Sequence, residues 1–278
     1  PGDRNLIAGL SAVIKPVGKT VAQMMLKDEA ALWISLGASS TAGNRTPRSS
    51  RPTSIYVRRP TTRMAVAWMI RKRFFDAQQY AADPPETADP DLDVLVSALE
   101  HKLPILMRAA RSTDIRMALN LAQELDLSVT LFRGNEGHKM AEVLGERKVP
   151  VILEPFFDFG AQRYGIEGRD IRWSNAAILS QAGVPVALAP NQGQGRQGTD
   201  MLTVALFAAR HGMPRDLALR AVTLTPAEIL AVADRVGSID VGKDADLLVL
   251  SGDPLASTTR IERVIINGKT VYPDTGAK

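Results

Sequence analysis

The 278-residue chain contains no cysteine, which excludes disulfide bonds, thiolate metal sites and cysteine nucleophiles. It has only three histidines, His101, His138 and His211, and none belongs to a His-x-His or His-Glu-x-x-His pattern that would build a zinc site. No apolar run approaches the ~20 residues of a membrane-spanning helix, and no signal-peptide pattern follows Pro1. We therefore expect a soluble protein without a membrane partner, whose compartment the sequence does not reveal.

The chain also has little net charge, because 34 basic and 30 acidic residues leave an excess of only +4. This balance gives little reason to expect nucleic-acid binding. One stretch, residues 38–63, contains six arginines and no acidic residue. Only Tyr56 supplies an aromatic ring there, and no nucleic-acid-binding module surrounds it. We interpret the stretch as a solvated surface loop and expect no nucleic-acid partner.

Alternation of strands and helices is the main structural signal. Short apolar runs at residues 103–107, 128–132, 149–153 and 184–188 predict strands that are covered on both faces. Helices are predicted between and before them, at residues 64–80, 91–100, 112–124, 136–146 and 174–182. In the first helix the apolar positions are Met64, Ala67, Trp68 and Phe75, and in the third they are Ile115, Ala118, Leu119, Ala122 and Leu125. Such βα alternation predicts a parallel sheet.

The last fifty residues change character. Thr225 and Glu228 form a predicted capping box, with Pro226 at the first helical position. Strands are predicted at residues 247–250, 263–266 and 270–272, and Asn267-Gly268 predicts a tight hairpin turn between the last two. We expect an α/β portion at residues 1–235 and a C-terminal β portion at residues 236–278.

Residues 221–272 resemble the C-terminal signature of amidohydrolases of the imidazolonepropionase and prolidase-like type. A Gly-Lys-Asp-Ala-Asp-Leu core at residues 242–247, a Gly-Asp-Pro that begins at Gly252, and the Asn267-Gly268 hairpin follow one another in the family's order. Weaker similarity at residues 5–9, 12–15 and 60–64 extends the resemblance over nearly the whole chain.

This resemblance implies an α/β fold, a (β/α)8 TIM barrel of the metal-dependent hydrolase type. The barrel would be incomplete at its N-terminal side and would carry a small C-terminal β-sandwich portion. The active site would lie at the carboxyl ends of the strands. Family members hydrolyse carbon–nitrogen bonds of amides, cyclic amides and dipeptides with a metal-bound hydroxide. Active members use zinc, held by histidines, an aspartate and often a carboxylated lysine.

Four positions that match the family's metal ligands carry other residues. By resemblance, Trp33 replaces the fourth-strand lysine, Arg108 the fifth-strand histidine, Arg133 the sixth-strand histidine and Asn191 the eighth-strand aspartate, while the first histidine pair would precede Pro1. Guanidinium groups offer no lone pair to a cation, and an asparagine oxygen is a poor substitute for a carboxylate at zinc. We therefore expect these four residues to line a pocket that holds no metal cofactor.

Two further residues are candidates for the same pocket. His138 follows a predicted strand on the active-site side, and a purely structural role is its alternative. Arg111 follows another strand closely, together with Arg108. Guanidinium groups at such positions favour a small anionic ligand, whereas the alternative is a solvated rim.

Residues 193–198 spell Gly-x-Gly-x-x-Gly between a predicted strand and a helix, which is the context of a dinucleotide-binding loop. An anion-holding loop is a second interpretation. The motif occurs late in the chain and is followed by helices and a hairpin, which favours a barrel loop after the last strand.

Three functions remain open at this point. The chain is a non-catalytic or residually active amidohydrolase-like subunit, alone or as a homo- or hetero-oligomer with an active homologue. It is an active carbon–nitrogen hydrolase with unusual metal ligands. Or it is a barrel protein that binds a small anion. Because relatives on one fold differ through their loops, the sequence does not identify a substrate.

Overall fold

A computed structural model describes residues 5–37, 40–41, 60–154, 170–190 and 200–273. The chain divides into two compact units. The first consists of residues 1–12, 28–140 and 160–171, and the second of residues 13–27, 141–159 and 172–278. None of the described helices is long and apolar enough to cross a membrane.

Two strands that the apolar pattern does not predict form near the start of the chain. These are β1 (Ile7–Ile14) and β2 (Met25–Ser35), which are joined by the short helix α1 (Val21–Met24). Ser35 donates its backbone N–H to Leu6 (2.8 Å), and Lys15 donates to Met24 (2.8 Å), so β1 and β2 run antiparallel. The charged run Lys27-Asp28-Glu29 interrupts the apolar pattern of β2, which explains why it escapes a search for apolar strands.

A parallel sheet follows in the first unit. Strand β3 (Ile105–Ala109) lies between β2 and β4 (Val129–Arg133) and runs parallel to both. All five residues of β3 are buried, as expected when helices or other layers cover both faces of a parallel strand. The predicted parallel arrangement is confirmed for these strands.

Three helices cover this sheet or one another: α2 (Arg63–Ala82), α3 (Pro90–Leu99) and α4 (Ser112–Leu125). The N-termini of α2 and α3 follow ordinary capping rules, since the Thr62 hydroxyl accepts from Ala65 N–H and the Asp89 carboxylate accepts from two backbone N–H groups of α3. Helix α4 packs on β3 and β4. Its predicted core positions Ile115, Ala118 and Leu119 are buried, so this helix and its face are confirmed.

The buried face of α2 differs from the predicted one. Met64, Trp68 and Phe75 are 81%, 56% and 57% exposed. The side chains that α2 buries against its neighbours are Val66, Ala67, Ile70, Phe74 and Ala77. Apolar residues occur on both sides of α2, so helical periodicity alone could not choose the side that meets α3 and α4.

The predicted helix at residues 136–146 divides into a 3-10 turn (Gly137–Met140) and the helix α5 (Ala141–Glu146). In the second unit, β5 (Val151–Leu153) and β6 (Val186–Leu188) pair in parallel. Four helices accompany them: α6 (Asn175–Gln181), α7 (Met201–Arg210), α8 (Arg215–Arg220) and α9 (Leu224–Ile229). Helices α6, α7 and α9 pack against β6.

The predicted capping box before α9 is wrong. The helix begins at Leu224, so Thr225 lies inside its first turn and is buried. Thr223 occupies the cap position, but its hydroxyl donates to the Leu219 carbonyl (2.8 Å) at the end of α8. Because α8 and α9 are separated by only three residues, the Thr223 hydroxyl binds a carbonyl at the end of α8 and does not cap α9.

A separate antiparallel sheet of three strands closes the described chain: β7 (Leu247–Leu250), β8 (Ile261–Ile266) and β9 (Lys269–Tyr272). Asn267 and Gly268 join β8 to β9 with φ angles of +50° and +74°. Two successive left-handed residues characterise the type I′ turn that Asn-Gly favours. The predicted hairpin is therefore confirmed.

Candidate functional site

Arg108 lies near the carboxyl end of β3 and is only 3% exposed. In register it stands beside Ser35 of β2 and Phe132 of β4. Because side chains alternate between the faces of a strand, these three residues share one face of the sheet with Trp33, which lies two positions before Ser35.

An aromatic contact confirms this common face. The ring centroids of Trp33 and Phe132 lie 4.8 Å apart with an interplanar angle of 58°. Strands β2 and β4 flank β3 on opposite sides, so the two rings meet across β3, on the face that carries Arg108. The structure thus brings two of the predicted pocket residues, Trp33 and Arg108, to one face near the strand ends.

Arg133 ends β4 in an unusual backbone conformation. Its φ is +78°, and Gly134 follows with φ +41°. A left-handed conformation at a residue other than glycine costs about 1–3 kcal/mol and is concentrated at functional sites. Arg133 pairs in register with Ala109, whereas Arg108 pairs with Phe132. The two arginines therefore sit one step apart on neighbouring strands, and the turn at Arg133 gives its side chain a direction that strand alternation does not define.

Glu136 lies just beyond this turn and is 5% exposed. Its carboxylate accepts from the backbone N–H of Ser112 (3.0 Å) and from the Ser112 hydroxyl (2.9 Å). Ser112 is the first residue of α4, whose own cap residue, Arg111, provides no side-chain hydrogen bond. Glu136 thus supplies the negative charge that the N-terminus of α4 attracts, and it ties the end of β4 to the end of β3.

Lys139 links Glu136 to a more distant part of the chain. Its ammonium group lies 3.3 Å from Glu136 and 2.8 Å from Asp170. Nε2 of His138 lies 3.6 Å from the same Asp170 carboxylate, and the His138 side chain is 3% exposed. We call Ser112, Glu136, His138, Lys139 and Asp170 the polar cluster. It joins the segment after β4 to the start of α4 and to Asp170.

Glu136 and Lys139 are both charged near neutral pH. Burial acts to raise the pKa of Glu136, but the hydrogen bonds from Ser112 and the ion pair with Lys139 outweigh it and lower that pKa overall. The pKa of Lys139 is raised, chiefly by its hydrogen bond to Asp170. A general acid or base works best with a pKa near the operating pH. These shifts move both groups away from it, which favours a structural role.

A buried ion pair lies beside the cluster, at the same end of α4. Asp114, in the first turn of α4, is fully buried, and the Arg63 guanidinium donates to its carboxylate at 2.5 and 3.3 Å. Arg63 is the first residue of α2. The ion pair therefore fixes the start of α2 against the start of α4.

The remaining predicted residues are placed less fully. Arg111 is half-buried at the cap position of α4, directly after β3. Asn191 and the glycine motif at residues 193–198 lie outside the described residues, as does most of the arginine-rich stretch.

The histidines of the first unit do not converge. His101 contacts the hydroxyl of Ser128 (3.1 Å), which precedes β4, whereas His138 follows the opposite end of that strand. The two histidines therefore lie beyond opposite ends of β4. His211, in the second unit, packs between the rings of Trp173 and Phe207, with centroids 5.0 and 4.3 Å away. Its surroundings are aromatic and do not form a ligand set.

Among the described residues, the side chains at the positions that match the family's metal ligands do not suit zinc. Within the described ranges, no group of three or more histidine, aspartate or glutamate residues could hold a metal ion. Trp33, Arg108 and Arg133 offer no lone pair for a cation. Two unit charges 4 Å apart repel by about 4 kcal/mol at an effective dielectric of 20, and a divalent ion doubles that repulsion.

Sequence reasoning missed Ser112, Glu136, Lys139 and Asp170. One signal could have found the first two, because each begins the predicted helix that comes after a predicted strand, and the carboxyl ends of parallel strands lie side by side. Asp170 could not have been found in this way, since its partner Lys139 lies thirty-one positions away in a part of the chain without periodicity.

Known proteins with similar sequences are amidohydrolases and imidazolonepropionases. The model of the Amidohydrolase family matches residues 171–271. The amidohydrolase tasK of Hapsidospora irregularis is 27% identical over 99% of this chain, which corresponds to 30% of that protein. An imidazolonepropionase of Bacteroides fragilis is 32% identical over 48% of this chain and 31% of its own length. The chain therefore spans about a third of these curated relatives.

Solved structures extend the match to the whole chain. An amidohydrolase from Thermotoga maritima superimposes with a TM-score of 0.84 and 31% identity, and covers 98% of this chain and 70% of its own. A zinc-bound adenosine deaminase from Xanthomonas campestris shares the fold at a TM-score of 0.52 and 18% identity. The predicted fold class, a TIM barrel of the metal-dependent hydrolase type with a C-terminal β portion, is confirmed. The chain belongs to the amidohydrolase family.

Proposed function

We propose that this chain is an amidohydrolase-family member that has lost its metal site and binds a small carboxylate at the carboxyl ends of β3 and β4. The observation that carries the proposal is the almost complete burial of Arg108 at the end of β3. A guanidinium group is always protonated in proteins, and it binds carboxylates through paired N–H donors. Burial strengthens such pairing, because the surrounding dielectric constant is lower than in water.

The neighbouring side chains support an organic anion over a hydrated metal ion. Trp33 and Phe132 pack together on the Arg108 face, and aromatic rings favour the apolar part of a ligand. The nearest described carboxylate after β4, Glu136, is bound by Ser112 and Lys139. It is therefore engaged in holding the two strand ends and is a poor candidate for a metal ligand.

Isothermal titration calorimetry with acetate and succinate tests the proposal. We expect saturable binding that weakens about ten-fold or more in Arg108→Met, because a charge-assisted hydrogen bond contributes about 1.5–3 kcal/mol. Arg116→Met is the matched control, since Arg116 is exposed on α4. Its affinity should equal that of the unmodified chain.

Two outcomes would overturn the proposal. If neither carboxylate binds, or if Arg108→Met binds both as well as the unmodified chain does, Arg108 is not an anion-binding residue. If the purified chain hydrolyses an N-acyl amino acid and a chelator abolishes that activity, the alternative of an active hydrolase with unusual ligands is correct instead.

A further inference from the structure

A second concave site lies in the first unit, away from Arg108. It is a groove of about 670 Å³ between the start of β1 and the helices α2 and α3. Its wall is mainly aliphatic, with contributions from Leu6, Leu10, Ile70, Val94 and Leu95. Binding sites for small molecules are commonly 300–1,000 Å³ in volume, mostly apolar, with a few polar groups. The groove has that size and that composition.

Among the described residues that line the groove, one is a cation. Arg73, on α2, is half-buried there. Its helix neighbours Arg71 and Lys72 are held by Glu124 (2.7 Å) and Asp76 (2.8 Å). Arg73 enters none of the ion pairs formed among the described residues. A guanidinium group beside an aliphatic wall, with no carboxylate partner there, is complementary to a ligand that has a negative end and a hydrocarbon body.

The groove also contains one acidic residue, which restricts where that negative end can lie. Asp91 is exposed in the first turn of α3 and lines the groove. A ligand carboxylate next to Asp91 would be repelled by it. We therefore place the ligand's charged end at Arg73 and its hydrocarbon chain along Leu10 and Val94.

We infer that this groove binds an aliphatic monocarboxylate, such as a medium-chain fatty acid. Salt bridging to Arg73 selects the charge, and the aliphatic wall selects the chain. The site is independent of Arg108 and of the function proposed above, because no residue is shared between the two.

Titration with decanoate, decan-1-ol and decylammonium, followed by tryptophan fluorescence and calorimetry, tests this inference. Decanoate should bind with a stoichiometry of one. Its affinity should fall about ten-fold or more in Arg73→Met, which removes the charge-assisted contact. Lys72→Met, which changes an exposed cation one position away, is the matched control and should leave the affinity unchanged.

A groove-filling variant tests the location without touching the charge. Leu10 is 36% exposed, so Leu10→Trp can occupy the groove without displacing core atoms. This variant should lose decanoate binding, whereas Met64→Trp, on the exposed side of α2, should retain it.

Three results would overturn the inference. Equal affinity for decanoate, decan-1-ol and decylammonium would show that charge is not selected. Unchanged decanoate binding in Arg73→Met or in Leu10→Trp would place any site elsewhere. A dimer of the unmodified chain that Leu10→Trp converts to a monomer, without any decanoate binding, would show that a second copy covers the groove.

Discussion

At the carboxyl end of β4, the backbone of Arg133 adopts a left-handed conformation that suits glycine better than arginine. Arg133→Gly removes a steric cost of about 1–3 kcal/mol from the folded state. It also makes the unfolded chain more flexible, which destabilises the folded state by about 0.5–1 kcal/mol. We expect the variant to be as stable as the unmodified chain or up to about 2 kcal/mol more stable. Urea unfolding measures the difference, and a loss of more than about 1 kcal/mol would show that the arginine side chain, not the backbone, stabilises this turn.

Glu136 is the residue whose ionisation matters most to the described site. Its folded-state pKa is lowered, so it stabilises the folded chain above its unfolded pKa of about 4.3, and that contribution is lost as the pH falls through the folded pKa. Glu136→Gln should cost about 1–3 kcal/mol at pH 7, because it weakens the bonds to Ser112 and Lys139.

The gap between Glu136→Gln and the unmodified chain should narrow as the pH is lowered towards 3. Urea unfolding at pH 7 and pH 3.5 measures it, with Glu146→Gln, an exposed change on α5, as the control. A gap that stays constant with pH would mean that the carboxylate charge contributes nothing.

Among the helices and strands, the sequence predicts which elements form better than it predicts which face of each is buried. The strands β3 and β4 and the helix α4 are predicted because each has one clear apolar pattern. Helix α2 is predicted too, yet with the wrong face, because Met64, Trp68 and Phe75 are as apolar as the residues that it buries. The apolar pattern misses β2 because the charged residues Lys27, Asp28 and Glu29 break it, and the hydrogen bonds between β1 and β2 reveal both strands.

The core face of α4 offers a direct test of packing. Leu119 is 4% exposed, so Leu119→Asp buries an unpaired carboxylate and should destabilise the chain by more than about 3 kcal/mol. Trp68→Gln, on the exposed side of α2, should change stability by less than about 0.5 kcal/mol. Thermal unfolding followed by circular dichroism compares the two, and equal melting temperatures would mean that the faces of both helices are misassigned.

The Gly-Lys-Asp-Ala-Asp segment that carries the family resemblance has a structural role in the second unit. The Lys15 ammonium contacts Asp244, Asp246 (2.8 Å) and the side-chain oxygen of Asn267 (2.8 Å). Asp246 also accepts from the Asn267 N–H (2.8 Å). These contacts join the segment before α1 to the turn between β8 and β9. The pKa of Asp244 is lowered, first by the hydrogen bond from Lys15.

Removal of this cation should loosen the C-terminal sheet. The Lys15 side chain is only 12% exposed, so Lys15→Met leaves two carboxylates close together without their shared cation and should cost about 1–3 kcal/mol. We expect a melting temperature lower by about 3 °C or more at neutral pH. Lys19→Met, an exposed change in the same segment, should have no effect. Equal melting temperatures for the two variants would show that the Lys15 contacts do not stabilise the sheet.

For the whole molecule, the resemblance predicted the family and the fold. The absence of a metal stays a prediction, which comes from the residues at the ligand positions. The contacts that hold the site together could not be predicted. Glu136 reaches Ser112 across twenty-four positions and Lys139 reaches Asp170 across thirty-one, and no periodicity encodes such pairs. Arg108 was identified because its type conflicts with the chemistry of the fold, and such conflicts concentrate at functional sites.

We propose that this barrel of the metal-dependent hydrolase type lacks a metal site. Elemental analysis of the chain, purified from cells grown with added zinc, manganese and cobalt and then desalted, tests it most directly. We expect far less than one equivalent of any of these metals per chain, with the same value in Arg108→Met. One tightly held equivalent per chain that exchanges only with a strong chelator would contradict the account.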